Sequence, residues 1–449
     1  MNTGASRPTQ RRNTSARRHA IGSTAAALVV VAIILVAALG ITLLASQPAS
    51  VSTTSSSTIT SATPSSSSST GYATTTSPPA STTVAKGAAP SISSVLVANV
   101  TIRGYPGEIG VNPNTDRIYV SDLFANELTV VYASNHSLID TITLPGTVEF
   151  GIAVDTRSNT VFVPVAGCTN EVNATNSCDS NGTGSQKGGI VEIDGNTDSI
   201  IGEIPINVER LAIDPNTGLL YGVNGNLNFG SNSSGSLLAI DESSGSLVSN
   251  TSLGAEPLSV AVNAESNTVY VAGCRQISLV CVGAEVLIVN GTSHGLQAMV
   301  PLDFDALNFN LVVNPTTDSI YTMGLGGANL TLVSVDGTSG LIRYSAAIGS
   351  SCAGAGGGTL AIDTASDLIY ASFDSQSFFL VINASTGRTV NMLSTPGGFQ
   401  YAVFNSNASQ VYVDSEAQNE NAGYLLMIPG VLNESYANSS LLQLGTCLP

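Results

Sequence analysis

The chain has 449 residues, with 14 Lys and Arg against 31 Asp and Glu, only three His and no Trp. Every acid lies after residue 100, whereas five of the basic residues precede residue 20, so the remainder carries 9 basic residues against 31 acids. That balance opposes nucleic acid or anionic lipid as a partner of the main body, and the His and Trp counts exclude a multi-histidine copper centre and a WD-type repeat.

Residues 1–19 form a basic tail containing Arg7, Arg11, Arg12, Arg17 and Arg18. Residues 20–45 then run without a charge and are rich in Ala, Val, Ile and Leu. A bilayer span needs about 20 apolar residues, and arginines on the leading side put the N-terminus in the cytoplasm. The segment is expected to be a retained transmembrane signal anchor in a single-pass cell-membrane protein. The competing reading is a cleaved signal peptide, whose apolar region is usually shorter. Residues 46–92 form a Ser/Thr/Pro-rich stretch that cannot bury a core, read as a flexible or O-glycosylated stalk.

From residue 93 to 449 one pattern repeats seven times. Its markers are Tyr119, Phe162, Tyr221, Tyr270, Tyr321, Tyr370 and Tyr412. Each follows a short apolar strand and then Asn or Asp: Asn112, Asp155, Asp214, Asn263, Asn314, Asp363 and Asn405. Such side chains bond the backbone two residues on and close a turn. A third strand ends on Asp194, Asp241, Asn290, Asp336 or Asn383, and a fourth follows. A repeat of about 40–50 residues with four strands per unit predicts an all-β, seven-bladed β-propeller of four-stranded antiparallel blades. The strand at Val95–Ile102 has no blade of its own and is expected to complete the last blade. Leu441–Leu444 competes for that slot. Long strand 2–3 connections are expected near 166–189, 224–235 and 272–284.

The turn sequences, with Ile118-Tyr119-Val120, Val269-Tyr270-Val271 and Val411-Tyr412-Val413, resemble the YVTN-repeat family of β-propellers over residues 93–449. The Thr-Asn that names the family is replaced here by Ser121-Asp122 and Ala272-Gly273. The resemblance implies a cell-surface propeller and little about activity, because propellers host many functions.

All six cysteines follow the apolar segment: Cys168, Cys178, Cys274, Cys281, Cys352 and Cys447. An even count outside the cell implies disulfides. The pairs 168–178 and 274–281 are expected within their own inserts, and 352–447 by elimination. Zinc is the alternative, with spacings that do not suit it. Asn-x-Ser/Thr sequons stand at Asn99, Asn135, Asn173, Asn181, Asn232, Asn250, Asn290, Asn329, Asn383, Asn407, Asn433 and Asn438, compatible with a glycoprotein.

Catalytic motifs are missing. His136 and His294 fall in strand 3–4 turns, away from any channel mouth expected to hold a histidine-based lyase. One constellation remains: Glu108, Glu149, Glu209 and Glu256 are expected just before strand 1 in copies one to four. Converging at the central channel, they form a candidate binding site. Glu108, Glu149 and Glu209 would be the metal ligands for Ca²⁺, a hard cation that prefers oxygen. No other cofactor is expected. Two functions compete. One is a non-catalytic binding, adhesion or display module for a protein or glycan ligand at the cell surface. The other is a metal-dependent extracellular hydrolase or lactonase, in which Asn308, Asn310 and Asp363 join the acids.

Overall fold

The computed structural model describes residues 98–122, 125–148, 150–166, 188–225, 235–277, 281–304, 306–326, 329–350, 358–373, 378–394, 401–416 and 422–430. Within them lie 28 strands in seven antiparallel sheets of four. Blade one contains β2 (Pro106–Asn112), β3 (Arg117–Asp122), β4 (Glu127–Tyr132) and β5 (Leu138–Thr143). Blade two contains β6 (Ala153–Asp155), β7 (Thr160–Val165), β8 (Gly189–Asp194) and β9 (Ile200–Ile204); blade three, β10 (Arg210–Asp214), β11 (Leu219–Asn224), β12 (Ser236–Asp241) and β13 (Ser246–Ser252). Blade four contains β14 (Glu256–Asn263), β15 (Thr268–Ile277), β16 (Cys281–Asn290) and β17 (Leu296–Pro301). Blade five contains β18 (Ala306–Asn314), β19 (Ser319–Gly326), β20 (Asn329–Asp336) and β21 (Ile342–Ser350); blade six, β22 (Leu360–Asp363), β23 (Leu368–Ala371), β24 (Phe378–Asn383) and β25 (Thr389–Ser394).

The seventh blade answers the ring-closure question. It contains β26 (Ala402–Asn405), β27 (Gln410–Glu416) and β28 (Ala422–Pro429), and its outer strand is β1 (Ala98–Arg103). β1 runs antiparallel to β28 from Ala98 opposite Met427 to Arg103 opposite Ala422. The strand expected at Val95–Ile102 therefore fills the slot, and Leu441–Leu444 lies outside the described residues.

One turn design recurs in every blade. The Asx residue ending strand 1 is buried, and its Oδ1 accepts a backbone N–H two or three residues on: Asn114 to Asn112 at 3.1 Å, Arg157 to Asp155 at 2.9 Å, Asn216 to Asp214 at 2.9 Å. Four residues after each Asx stands a left-handed residue: Asp116, Asn159, Gly218, Asn267, Asp318, Asp367 or Ser409, with φ between 49° and 71°. Asn, Asp and Gly tolerate that region best, which explains five of the six non-glycine choices. The carbonyl of each left-handed residue then accepts an N–H from the residue after strand 3, as in Ala133 to Asp116 at 2.9 Å and Gly337 to Asp318 at 2.7 Å. The strand 3–4 turns repeat the design with Asp198, Gly245, Gly340, Gly387 and both described histidines, His136 and His294, in the left-handed position.

The hydrophobic core is seven clusters, one at each blade interface. The repeat aromatics sit in them fully or nearly fully buried. Most send a hydroxyl into the following blade: Tyr119 to Asp198 Oδ1 at 3.1 Å, Tyr221 to the Gly291 carbonyl at 3.2 Å, Tyr270 to Asp318 Oδ1 at 2.6 Å, and Tyr370 to the Gly430 carbonyl. Buried hydroxyls need such partners. Inner strands also crowd one another; a Cβ on Gly110 would meet Ile152 Cγ2 of the next blade.

One expectation fails. Residues 272–284 do not form a long Gly-rich loop. β15 and β16 extend as a hairpin through Ile277 and from Cys281, with Gly273 opposite Glu285 and Cys274 opposite Ala284. Gly273 serves close packing, since a Cβ there would press on the Glu256 carbonyl at 2.8 Å. No helix among the described residues is long and apolar enough to cross a membrane, and residues 20–45 lie outside them.

Candidate functional site

The first strands of consecutive blades pack side by side around the axis, so the ring has two mouths. One carries the strand 1–2 turns. There an open cavity of about 330 Å³ is lined by Val111 and Pro113 of blade one, Ile152 and Val154 of blade two, and Val403 and Phe404 of blade seven, among others. None of its lining residues is titratable.

The other mouth holds the glutamates. Glu108 lies within β2, and its Oε1 is 3.2 Å from Arg210 Nη1, the first residue of β10. Both side chains are nearly buried, at 14% and 11% exposure. Burial pushes the Glu108 carboxyl up, opposed by Arg210 and by the Gly151 N–H that it accepts. Gly151 adopts φ +87° and packs against the Leu211 amide, so only glycine suits this approach.

Arg210 also lies 4.6 Å over the Phe150 ring, a cation–π distance. Phe150 in turn stacks on Tyr401 at 6.4 Å. Backbone bonds hold both rings: the Phe150 N–H reaches the Glu209 carbonyl at 3.0 Å, and the Tyr401 N–H reaches Asp414 Oδ1 at 2.6 Å. Blades seven, one, two and three thus meet in one cluster of two aromatic rings and an ion pair.

Glu209 and Glu256 form a second group. A Cβ on Gly225 would run into Glu256 Oε1 and come within 3.2 Å of Glu209 Oε2, so both carboxylates bear on that glycine. Glu256 is fully buried at the start of β14. Glu149 lies outside the described residues. The structure therefore brings Glu209 and Glu256 together and gives Glu108 to Arg210. Among the described residues no three His, Cys, Asp or Glu are grouped to hold a metal. Asp363 caps a turn at the opposite mouth, accepting the Ala365 N–H at 3.0 Å. The Asn310 carbonyl accepts the Thr322 hydroxyl at 3.4 Å, and the Asn308 side chain lies outside the described residues.

Cys274 and Cys281 form a disulfide across the β15–β16 hairpin with Cα atoms 5.5 Å apart, as expected. Cys168, Cys178, Cys352 and Cys447 lie outside the described residues. So do the sequons at Asn173, Asn181, Asn232, Asn433 and Asn438.

Sequence reasoning passed over Arg210, Phe150 and Tyr401. A signal existed for two of them, since each directly follows a glutamate of the proposed ring: Glu149-Phe150 and Glu209-Arg210. It also passed over Glu285, which is fully buried beside the disulfide hairpin and takes Arg275 Nε at 2.8 Å.

No protein-family model matches this chain, and no curated protein matches it. Among solved structures it is similar to hydrazine synthase of Kuenenia stuttgartiensis, with a TM-score of 0.56 and 12% identity, covering 69% of this chain and 92% of that one. At that identity the likeness concerns the fold, and it agrees with the seven-bladed propeller built above.

Proposed function

We propose that this is an exported propeller of the YVTN-repeat kind, held at the cell membrane by residues 20–45 with its N-terminus in the cytoplasm, that binds a protein or glycan ligand and does not catalyse. One contrast carries the reading. At the mouth with ionisable groups Glu108, Arg210, Phe150 and Tyr401 pack on one another, while the open cavity at the other mouth is lined by apolar residues with Thr156, Asn405 and Ser406 and by no acid or base. Pockets of that kind bind more readily than they react. The test is a binding screen of the full-length protein against surface glycans and envelope proteins. Saturable binding that is lost in Val154→Arg supports the reading, and binding untouched by that change removes the cavity from it.

A second reading is favoured by the convergence of Glu209 and Glu256 on Gly225. Paired carboxylates suit Ca²⁺, and a Ca²⁺-dependent lactone hydrolase would use them. Chelator-sensitive lactone hydrolysis that disappears in Glu209→Gln supports this reading against the first.

A further inference from the structure

The described sequons differ in what their side-chain amides already do. Asn99 on β1, Asn250 on β13, Asn329 at the start of β20 and Asn135 in a strand 3–4 turn are exposed, and none of the four donates a hydrogen bond through Nδ2 among the described residues. Asn135 lends only its Oδ1, to the Ser137 N–H at 2.9 Å and the Ser137 hydroxyl at 2.7 Å. The other three are built into the turns. Asn383 donates Nδ2 to Asp367 Oδ2 at 2.9 Å while its Oδ1 accepts the Thr386 N–H at 3.0 Å. Asn407 donates Nδ2 to the Pro113 carbonyl at 3.3 Å, joining blade seven to blade one. Asn290 is half-buried and caps its turn through Oδ1, accepting the N–H groups of Thr292 and Ser293 at 3.0 and 2.8 Å.

We infer that the folded ring accepts N-linked glycans at Asn99, Asn135, Asn250 and Asn329 and rejects them at Asn290, Asn383 and Asn407. The inference rests on the exported placement proposed above. Its co-substrate is an oligosaccharide joined through a phosphate ester to a polyprenyl carrier. The bond that forms is Nδ2 to C1 of the first sugar. The bond that breaks is C1 to the phosphate oxygen, whose electron pair leaves with the carrier, and one Nδ2 proton is lost. Asn383 and Asn407 already donate through Nδ2 inside turns, and Asn290, unlike the exposed Asn135, is half-buried with its Oδ1 tied to two backbone N–H groups, so all three are held away from that chemistry and a sugar would displace their contacts. The accepted sites also have a physical use. Asn99 and Asn250 sit on outermost strands, whose unpaired edges invite pairing with other chains, and Asn250 shares β13 with the exposed Leu247 and Val248. Glycans there would shield both edge and apolar side chains.

The full chain is to be expressed in a host with an Asn-x-Ser/Thr oligosaccharyl transferase, and site occupancy read by glycopeptide mass spectrometry. The expected pattern is sugar on Asn99, Asn135, Asn250 and Asn329 in most molecules and bare peptide at Asn290, Asn383 and Asn407. Asp367→Gly supplies the second arm. It removes the carboxylate that holds Asn383 at 2.9 Å and leaves only the long 3.5 Å approach to the residue 367 carbonyl, while glycine keeps the backbone as Gly218 does at the same position of blade three. Asn383 should then become occupied. Sugar on wild-type Asn383 or Asn407 at the level of Asn99, or an exported chain bare at every site, overturns the inference and leaves the ligand-binding reading standing. A chain retained inside the cell overturns both.

Discussion

Glu108 of blade one and Arg210 of blade three meet at 3.2 Å, past the inner edge of the blade between them. Few contacts in the ring skip a neighbour, and this one couples three consecutive sheets. Breaking a buried pair by removing one partner typically costs about 3–5 kcal/mol, while replacing both with apolar groups costs far less. Glu108→Leu and Arg210→Met should each destabilise by about 2–4 kcal/mol given their slight exposure, and the double variant, apolar at both positions, should recover much of the loss. Urea denaturation of all four proteins checks this as a double-mutant cycle.

Blade two departs from the repeat in a compensated way. Phe162 is the one marker aromatic without a hydroxyl, and the residue after strand 3 of the next blade is Glu242. In the other blades that residue is Gly or Ala: Ala133, Gly195, Gly291, Gly337, Ala384 and Gly430. At Gly337 a Cβ would collide with the Tyr270 hydroxyl. Glu242 instead takes Arg157 Nη2 at 2.6 Å. Its carboxyl is pushed up, first by burial and then by the Asp155 carboxylate beside it. Phe162→Tyr should cost about 1–3 kcal/mol by burying a hydroxyl without a ready acceptor. Adding Glu242→Gly should reduce that penalty, giving a favourable coupling of about 1 kcal/mol in thermal unfolding.

Acid should unfold the ring through its turns. Asp194, Asp241 and Asp336 are held below the usual carboxylate range by hydrogen bonds to their charged forms: the N–H groups of Thr197 and Asn196, the hydroxyls of Ser243 and Ser244, and the N–H and hydroxyl of Ser339. A folded pKa below the unfolded one gives stability that is present above about pH 4 and lost as the pH falls through the folded pKa. Glu108 runs the other way, since its raised pKa withdraws stability as the pH rises above about 4. Replacing Asp194, Asp241 and Asp336 together by Asn should flatten the acid limb of a stability–pH curve while leaving the fold at neutral pH.

The Cys274–Cys281 bridge closes a short hairpin that the β15–β16 ladder already closes. A loop of this size is worth at most about 2.5 kcal/mol by chain entropy. Cys274→Ser with Cys281→Ser should therefore lower stability by about 1–2 kcal/mol without loss of blade four, as seen by chemical denaturation and by circular dichroism.

The repeat was legible because each blade restates the same local chemistry. Asn112, Asp155 and Asp214 announce turns from their own neighbours, and Tyr119 or Tyr270 reads as a buried strand residue wherever it falls. The hairpin at 272–284 was not legible, since Gly273 and Gly283 look like loop residues until the crowding around Gly273 and the +69° φ of Gly283 are known. Arg210 was hidden for another reason. Its partner Glu108 lies 102 residues away, and only closure of the ring decides which blades face each other at the mouth. The choice between β1 and Leu441–Leu444 as closing strand was undecidable from pattern, because both are short segments with apolar residues, one on either side of the repeats.

That choice has a mechanical consequence. Ala98 is where the chain enters the ring, and β1 is an outermost strand, so any pull from the N-terminal side falls first on the β1–β28 ladder. Tension strong enough to peel that strand would draw out Ile102, which is fully buried between blades seven and one, and turn a closed circle into an open arc. Under the anchored placement proposed above, the strand that closes the ring is also the first strand that a pull from the membrane side would reach.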